Sequence, residues 1–369
     1  MLPDFGGGGA ERVIVSLANA FALRGVAITM IVGRAEGPCM AALDRDIPVI
    51  DLGVSRIIKA IRPLAQHMDA TRPDAVLSAL THANLVTLAA GRLARHRPRI
   101  VVAERNSLSM LVSGGSVLKR AVKKRLVRTL YPMADLVTCV SPTMEQEFAT
   151  FLGPGRAGLM TIYNPVDLGR IRAMSAGKPS HDWLREKQGP VIVAAGRLTL
   201  QKDFATLLRA FALLPNAGAK LVIYGEGALR SELEALVAGL GLSGRVSLPG
   251  FVGDLPAEIA ASDLFVLSSR WEGLPGVLLE ALAVGTPVVA TDCPTGPDEI
   301  LEGGRWGALV PVGDPHALAE AMARTLSLPI DAPAETVLAR FDPALIVDQY
   351  LSILLPDHFQ SPGDKGDPL

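Results

Sequence analysis

The sequence predicts an α/β protein made of two domains, each a doubly wound parallel sheet of the Rossmann type, and three observations predict it. Short β-branched runs alternate with helical stretches through both halves, the pattern of parallel strands joined by crossover helices. The chain of 369 residues is longer than one core needs, and two domains of about 150–200 residues are expected. Apolar residues make up 49% of it, and the 36 Gly and 27 Pro are dispersed, which excludes collagen-like and low-complexity chains.

Taken in order, a helix over Ala10–Leu23 follows a run of four glycines, and strands are expected at Ala27–Val32, Pro48–Leu52, Ala75–Ser78, Arg99–Ala103 and Leu136–Val140. A strand should also stand before the glycine run, yet only five residues precede Gly6. Either that strand is a stub or the true start lies upstream. Residues 166–189 are polar, contain Ser175-Ala-Gly-Lys-Pro-Ser-His181, and read as a linker. Beyond them the alternation is clean. Strands are expected at Pro190–Ala195, Lys220–Tyr224, Arg245–Leu248, Leu264–Leu267 and Pro287–Ala290, and helices at Asp203–Leu214, Ala228–Ala238, Leu255–Ala261 and Pro275–Val284. The expected domains are therefore 1–165 and 190–341, followed by a final helix within 342–355 and a disordered tail over 356–369.

The net charge of −1 conceals an asymmetry. Residues 1–165 hold 20 Lys and Arg against 12 Asp and Glu, whereas residues 166–369 hold 16 against 25, so the halves should meet different partners. Cys39, Cys139 and Cys293 lie far apart with no CxxC, which suits a reducing compartment and argues against a thiolate metal site. No basic-then-apolar leader opens the chain. The longest uncharged stretch, Ala75–Gly91, has 17 residues and five polar interruptions, short of the roughly 20 apolar residues of a membrane span.

Three constellations stand where chemistry is expected. Gly6-Gly-Gly-Gly9 leads straight into a helix, so the backbone can approach a ligand closely at a helix N-terminus; the spacing does not fit a dinucleotide fingerprint. Gly196-Arg197-Leu-Thr-Leu-Gln-Lys202 sits where a strand ends and a helix begins, the place where doubly wound sheets bind ligands. Arg197 offers a planar fork and Lys202 a point charge for phosphate oxygens, so no metal is needed to neutralise a diphosphate there. Glu272 precedes a helix and Glu280 lies within it, among apolar neighbours from Pro275 to Gly285. A carboxylate so placed calls for a hydrogen-bonding partner such as a diol.

Weaker signals are Gly225, in Tyr224-Gly-Glu-Gly227, Phe251 as a surface for a base, and His82 in the first domain. Asp44-Arg-Asp46 is too ordinary to read as a metal site, and the six His show no HxxxH spacing. From Arg105 to Ala134 there are seven bases and no acid. Leu118, Val122, Leu126 and Leu130 recur every four residues there, leaving Lys119, Arg120, Lys123, Lys124 and Arg128 for an anionic membrane surface. The chain lacks the interleaved aromatics of a nucleic-acid platform.

Ala194-Ala-Gly-Arg-Leu-Thr-Leu-Gln-Lys-Asp-Phe204, the E-x7-E motif from Glu272 to Glu280, Gly273-Leu274-Pro275, Gly285-Thr-Pro-Val-Val-Ala-Thr291 and Asp292-Cys-Pro-Thr-Gly-Pro-Asp-Glu-Ile300 together resemble a family 4 retaining glycosyltransferase of the GT-B fold. The branch resembled acts on lipopolysaccharide cores, exopolysaccharides and lipid-linked glycans. The resemblance implies two domains facing across a cleft, with the final helix crossing back to the first. It implies a nucleotide-diphosphate sugar, UDP-linked by preference or GDP-linked, with Arg197 and Lys202 on the diphosphate, Glu280 on the ribose and Glu272 on the transferred sugar. Gly196, Gly225, Phe251, Gly273 and Leu274 would line that site, and Gly8 and Gly9 would meet the donor from the first domain. His82 and Arg105 would stand on the side of a lipid-linked or glycan acceptor. It also implies retention without metal or cofactor, at the cytoplasmic face of the plasma membrane. Where relatives carry a histidine after the strand matching Arg99–Ala103, this chain has Glu104-Arg105-Asn106. The alternatives are a nucleotide-sugar 2-epimerase of the same fold and an inactive membrane-bound scaffold.

Overall fold

A computed structural model describes residues 1–105, 108, 116–215, 218–328, 333 and 335–359. The expected tail lies outside them from residue 360 on. The chain forms two compact units, one of Met1–Pro165 with Pro343–Leu369 and one of Val166–Asp342.

In the first unit the elements run α1 (Gly9–Leu23), β1 (Met30–Val32), β2 (Val49–Asp51), α2 (Ile61–Thr71), β3 (Ala75–Ala79), α3 (Thr81–Leu93), β4 (Arg99–Ala103), α4 (Val117–Leu130), β5 (Leu136–Cys139), α5 (Pro142–Leu152) and β6 (Leu159–Thr161). The strands pair in parallel as β2-β1 and as β3-β4-β5-β6. The residues before the glycine run join the two groups. Leu2 bridges to Val32, and the Ala79 amide donates to the Met1 carbonyl at 3.3 Å. The residues before the glycine run thus form a stub in the place of that first strand, between β1 and β3, anchored by the fully buried Leu2 and Phe5.

The second unit runs α6 (Leu168–Ser175), α7 (Asp182–Arg185), β7 (Val191–Ala195), α8 (Phe204–Ala212), β8 (Lys220–Tyr224), α9 (Arg230–Gly239), β9 (Val246–Gly250), α10 (Leu255–Ala260), β10 (Leu264–Leu267), α11 (Gly276–Ala283), β11 (Val288–Thr291), α12 (Pro297–Ile300), β12 (Ala308–Val310), α13 (Pro315–Ser327) and α14 (Glu335–Leu338). The expected linker is instead folded: α6 packs on α10, and buried Glu258 of α10 accepts a hydrogen bond from the Ser180 hydroxyl at 2.6 Å and one from Tyr224 at 2.6 Å. That buried carboxylate gives the polar residues of 166–189 a partner, which composition alone does not show. The last helix, α15 (Pro343–Leu354), belongs to the first unit. There Ile346, Tyr350 and Leu351 share a core with α1, and the Phe21 and Tyr350 rings meet edge-on at 6.5 Å.

The sheet of the second unit is parallel in the order β12-β11-β10-β7-β8-β9. The chain moves outward from β7 to β9, then returns to lay β10 on the other side of β7. That reversal is a topological switch point, where the loops leaving β7 and β10 part and leave a crevice at the carboxyl ends of the strands. The first unit has its own switch point between the stub and β3.

Candidate functional site

At the switch point of the second unit, glycines let neighbouring loops stack backbone on backbone. A side chain on Gly225, whose φ is +129°, would run into the Gly196 carbonyl, and one on Gly227 would strike the Leu198 backbone. The Lys202 stem lies against Gly196, where an added Cβ would stand 2.8 Å from Lys202 Cε. So guided, Lys202 Nζ crosses to the other loop and pairs with Glu272 Oε1 at 2.6 Å, with side chains only 14% and 8% exposed. Ser269 donates its hydroxyl to the same carboxylate oxygen at 2.5 Å, and Gln201 Nε2 donates to the Trp271 carbonyl at 3.0 Å. Neither Ser269 nor Gln201 was visible as a site residue in the sequence, since a serine or glutamine beside a motif carries no spacing signal.

Arg197 leaves the end of β7 exposed, and among the described residues its guanidinium has no ion-pair partner. The structure thus brings Lys202 to Glu272 and leaves Arg197 facing solvent. Leu274 is buried, Gly273 is half-buried, and Glu280 is half-buried on α11. The loop after β11 packs on this segment: a Cβ on Gly296, with φ +96°, would lie 2.8 Å from the Gly273 carbonyl. Phe251 follows β9 and is 76% exposed, its ring available for stacking. Among the described residues no three His, Cys, Asp or Glu side chains gather as a metal site.

The first unit's switch point is built differently. Gly8 caps α1, and Glu11 folds back over the loop, where a Cβ on Gly6 would stand 3.0 Å from Glu11 Oε1. The glycines therefore make room for the helix's own first-turn carboxylate, which the N-terminal dipole favours. Gly9 has nothing near its missing Cβ. A cavity of about 530 Å³ opens beside the loop, lined by Pro3, Asp4, Arg34, Glu36 and Ser55 among others.

His82 is exposed in the first turn of α3. Arg105, expected on the acceptor side, is buried: one guanidinium nitrogen donates to Asn164 Oδ1, and another reaches the Tyr350 hydroxyl at 3.2 Å, tying the end of β4 to α15. Its neighbour Glu104 is fully buried and accepts from the Tyr131 hydroxyl, from Thr81 at 3.2 Å and from Asn84 at 3.2 Å. Burial pushes its carboxyl up to about 7 despite those hydrogen bonds. A carboxylate directly after the apolar run Ile100–Ala103 is the one sequence signal for this cluster.

Helix α4 departs from expectation in its facing. Val127 is buried and Arg120, Lys123 and Leu130 are half-buried, so this is the inward face. Leu118 and Val122 are 73% and 49% exposed, and Leu126 faces out with them. Arg120 and Lys123 therefore do not belong to the outward basic set, while Lys119, Lys124 and Arg125 do. Arg128 lies over the Phe151 ring at 4.6 Å and donates to its carbonyl. Tertiary contacts in this unit, rather than the stripe of leucines, decide which side of the helix turns in. Among the described residues no helix is long and apolar enough to cross a membrane.

Residues 189–327 match the model described as glycosyl transferases group 1, and residues 7–170 the one described as glycosyltransferase family 4. The chain is 30% identical over 356 residues to the lipopolysaccharide core biosynthesis glycosyltransferase LpsE of Rhizobium meliloti, covering 94% of this chain and 96% of LpsE. It is 31% identical over 247 residues to the Campylobacter jejuni enzyme named N-acetylgalactosamine-N,N'-diacetylbacillosaminyl-diphospho-undecaprenol 4-alpha-N-acetylgalactosaminyltransferase, covering 67% of this chain and 65% of that one. Among solved structures, Anabaena HepE in complex with UDP superposes with a TM-score of 0.78 at 23% identity, over 96% of this chain and 98% of HepE. The paired α/β units, the charged switch point and the near-full-length match to LpsE lead to one conclusion: the chain belongs to the family 4 glycosyltransferases and is a glycosyltransferase of bacterial glycan synthesis.

Proposed function

We propose that this glycosyltransferase moves a sugar from a nucleotide-diphosphate donor, UDP-linked by preference over GDP-linked, to a lipid-linked or glycan acceptor, with retention of configuration and without a metal. The observation that carries the proposal is the Lys202–Glu272 pair at 2.6 Å beside an exposed Arg197 at the β7/β10 switch point. Two cations there suit the two phosphates of a leaving diphosphate, whose charge grows in the transition state. Glu272, freed from Lys202 by that phosphate, accepts hydrogen bonds from hydroxyls of the transferred sugar. Glu280 takes the ribose diol, and Phe251 offers its face to the base. Preference for UDP draws on the UDP-bound HepE structure, and a lipid-linked acceptor on the name of the Campylobacter enzyme.

In the reaction the bond from the anomeric carbon to the β-phosphate oxygen breaks. The acceptor oxygen bonds to that carbon on the same face, and the acceptor proton passes to the departing phosphate. Acceptor-side groups, His82 among them, belong to the first unit. The exposed Lys119, Lys124 and Arg125 with outward Leu118 and Val122 support docking of that unit on the anionic inner face of the plasma membrane.

Thermal unfolding with UDP, GDP, ADP or NAD, each with and without magnesium, tests the donor assignment. Ligand at about 100 times its Kd adds about 2.7 kcal/mol. Stabilisation by UDP or GDP alone, unchanged by magnesium, is expected; a response to none of the four overturns it. Glu280→Ala should weaken nucleotide binding, and Lys202→Ala should weaken the part of it that comes from the phosphates and lower turnover by about 100-fold.

A further inference from the structure

The loops leaving β7 and β10 are held together by more than the Lys202–Glu272 pair. The Arg270 amide donates to the Gln201 carbonyl at 2.8 Å, and the Ser268 hydroxyl donates to the Lys202 carbonyl at 2.7 Å. Beside them lies a second ion pair, Arg270 Nε to Asp203 Oδ2 at 2.9 Å.

Asp203 is unusual on three counts. It occupies the N-cap of α8, where an aspartate ordinarily turns its carboxylate onto the amides of the next turn. Here no amide receives it; the carboxylate accepts instead from Arg270 and from the Thr206 hydroxyl at 2.9 Å. Its backbone is left-handed, φ 45° and ψ 44°, a region that residues other than glycine seldom enter. Its side chain is 2% exposed, and a carboxylate that deep is tolerated only where a cation and hydrogen bonds meet it. Asp203 directly follows Lys202, and Arg270 stands two residues before Glu272. The second pair therefore fixes the backbone beside each member of the first.

We propose that Asp203 and Arg270 are positioning residues that hold the backbone of Lys202 and Glu272 in register across the switch point, so that the Lys202 amine meets the donor diphosphate from a preset place. Neither residue touches the ligand. The proposal rests on the assignment of Lys202 to the diphosphate. Its signature is selective: it governs the share of affinity that comes from the phosphates and leaves the share from the nucleoside alone.

Calorimetry on the full chain with UDP and uridine, and with GDP and guanosine, reads that share as the ratio of nucleoside to nucleotide Kd. Asp203→Asn removes the charge, and asparagine tolerates the left-handed backbone. The ratio should fall by about tenfold in D203N with the nucleoside Kd unchanged, and D203N/R270Q should fall no further, because the two side chains act as one unit. R270K, which keeps the cation, should retain most of the ratio. Should D203N fail to fold, D203N/R270Q leaves no buried charge unpaired and gives the same reading. A ratio within about twofold of the parent in both, while Lys202→Met abolishes it, overturns the proposal. Equal loss of nucleoside and nucleotide binding, a merely structural role, overturns it too. K202M leaving the ratio intact would instead sink the donor assignment, and the proposal with it.

Discussion

The two units of this glycosyltransferase each carry a switch point at the carboxyl ends of a parallel sheet, and they furnish it in opposite ways. The second unit lines it with charge: Lys202 on Glu272, Arg270 on Asp203, and Arg197 exposed beside them. The first unit lines it with the glycine loop Gly6–Gly9, over which Glu11 folds, and buries a carboxyl, Glu104, among Thr81, Asn84 and Tyr131. A pair of opposite charges at a crevice can exchange one partner for an incoming phosphate. A carboxyl with no exposed surface cannot reach a ligand, and Glu104 instead ties the end of β4 to α3 and to the residue that follows α4. On the proposed reading anion chemistry belongs to the second unit, while the buried polar groups of the first hold its helices in place.

The largest expected effect breaks the charged side of this comparison. Lys202→Met leaves Glu272 buried with only neutral partners, and loss of one member of a buried ion pair costs about 3–5 kcal/mol. Denaturant unfolding should show that loss, and K202M/E272L should regain most of it while remaining inactive. A K202M protein as stable as the parent would mean that the pair is solvated and that the two switch points differ less than their burial says.

The next effect tests the neutral side. A carboxyl raised to about 7 in the folded chain keeps its proton while the unfolded chain, near its ordinary 4.5, gives it up. The unfolded state then binds fewer protons, so stability is full below 4.5, falls as pH rises to about 7 and is level above that. At about 1.4 kcal/mol per unit, Glu104→Gln should gain on the parent by about 3 to 3.5 kcal/mol between the two ends of that window. A constant difference across it, measured by unfolding at each pH, would show that Glu104 titrates as in the unfolded chain.

This contrast also explains what could be read in advance. The strands Arg99–Ala103, apolar after its first residue, and Leu264–Leu267, apolar throughout, appear where expected, and Arg197, Lys202, Glu272 and Glu280 announce themselves as charges at strand ends or among apolar neighbours. Helix α3 is not legible in the sequence, because its Thr81, Asn84 and Thr87 face inward and so invert the usual polar-out pattern. The partners of Glu104 come from two distant places in the chain, the start of α3 and Tyr131, and Asp203 looks like an ordinary helix cap until Arg270 is seen beside it. Pairing across loops is a property of topology, and local spacing does not encode it.

The smallest effect concerns the outer surface of the first unit, where α4 turns Leu118 and Val122 to solvent alongside Lys119, Lys124 and Arg125. If this face docks on anionic lipid, two forces act on it and salt separates them. Each base near the surface contributes about 1 kcal/mol, an attraction that decays over a Debye length of about 10 Å at 0.1 M salt. Burial of the apolar side chains is insensitive to salt on that scale. Lys124→Gln should therefore weaken binding to phosphatidylserine vesicles about fivefold at 0.1 M salt and have little effect when salt is high. L118S/V122S should weaken it at both. Loss from the serine variant only at low salt would place the stripe outside the bilayer, leaving long-range charge as the whole attraction. No loss from either variant would make α4 a solvated helix, and the charge excess of the first unit would then serve some other contact.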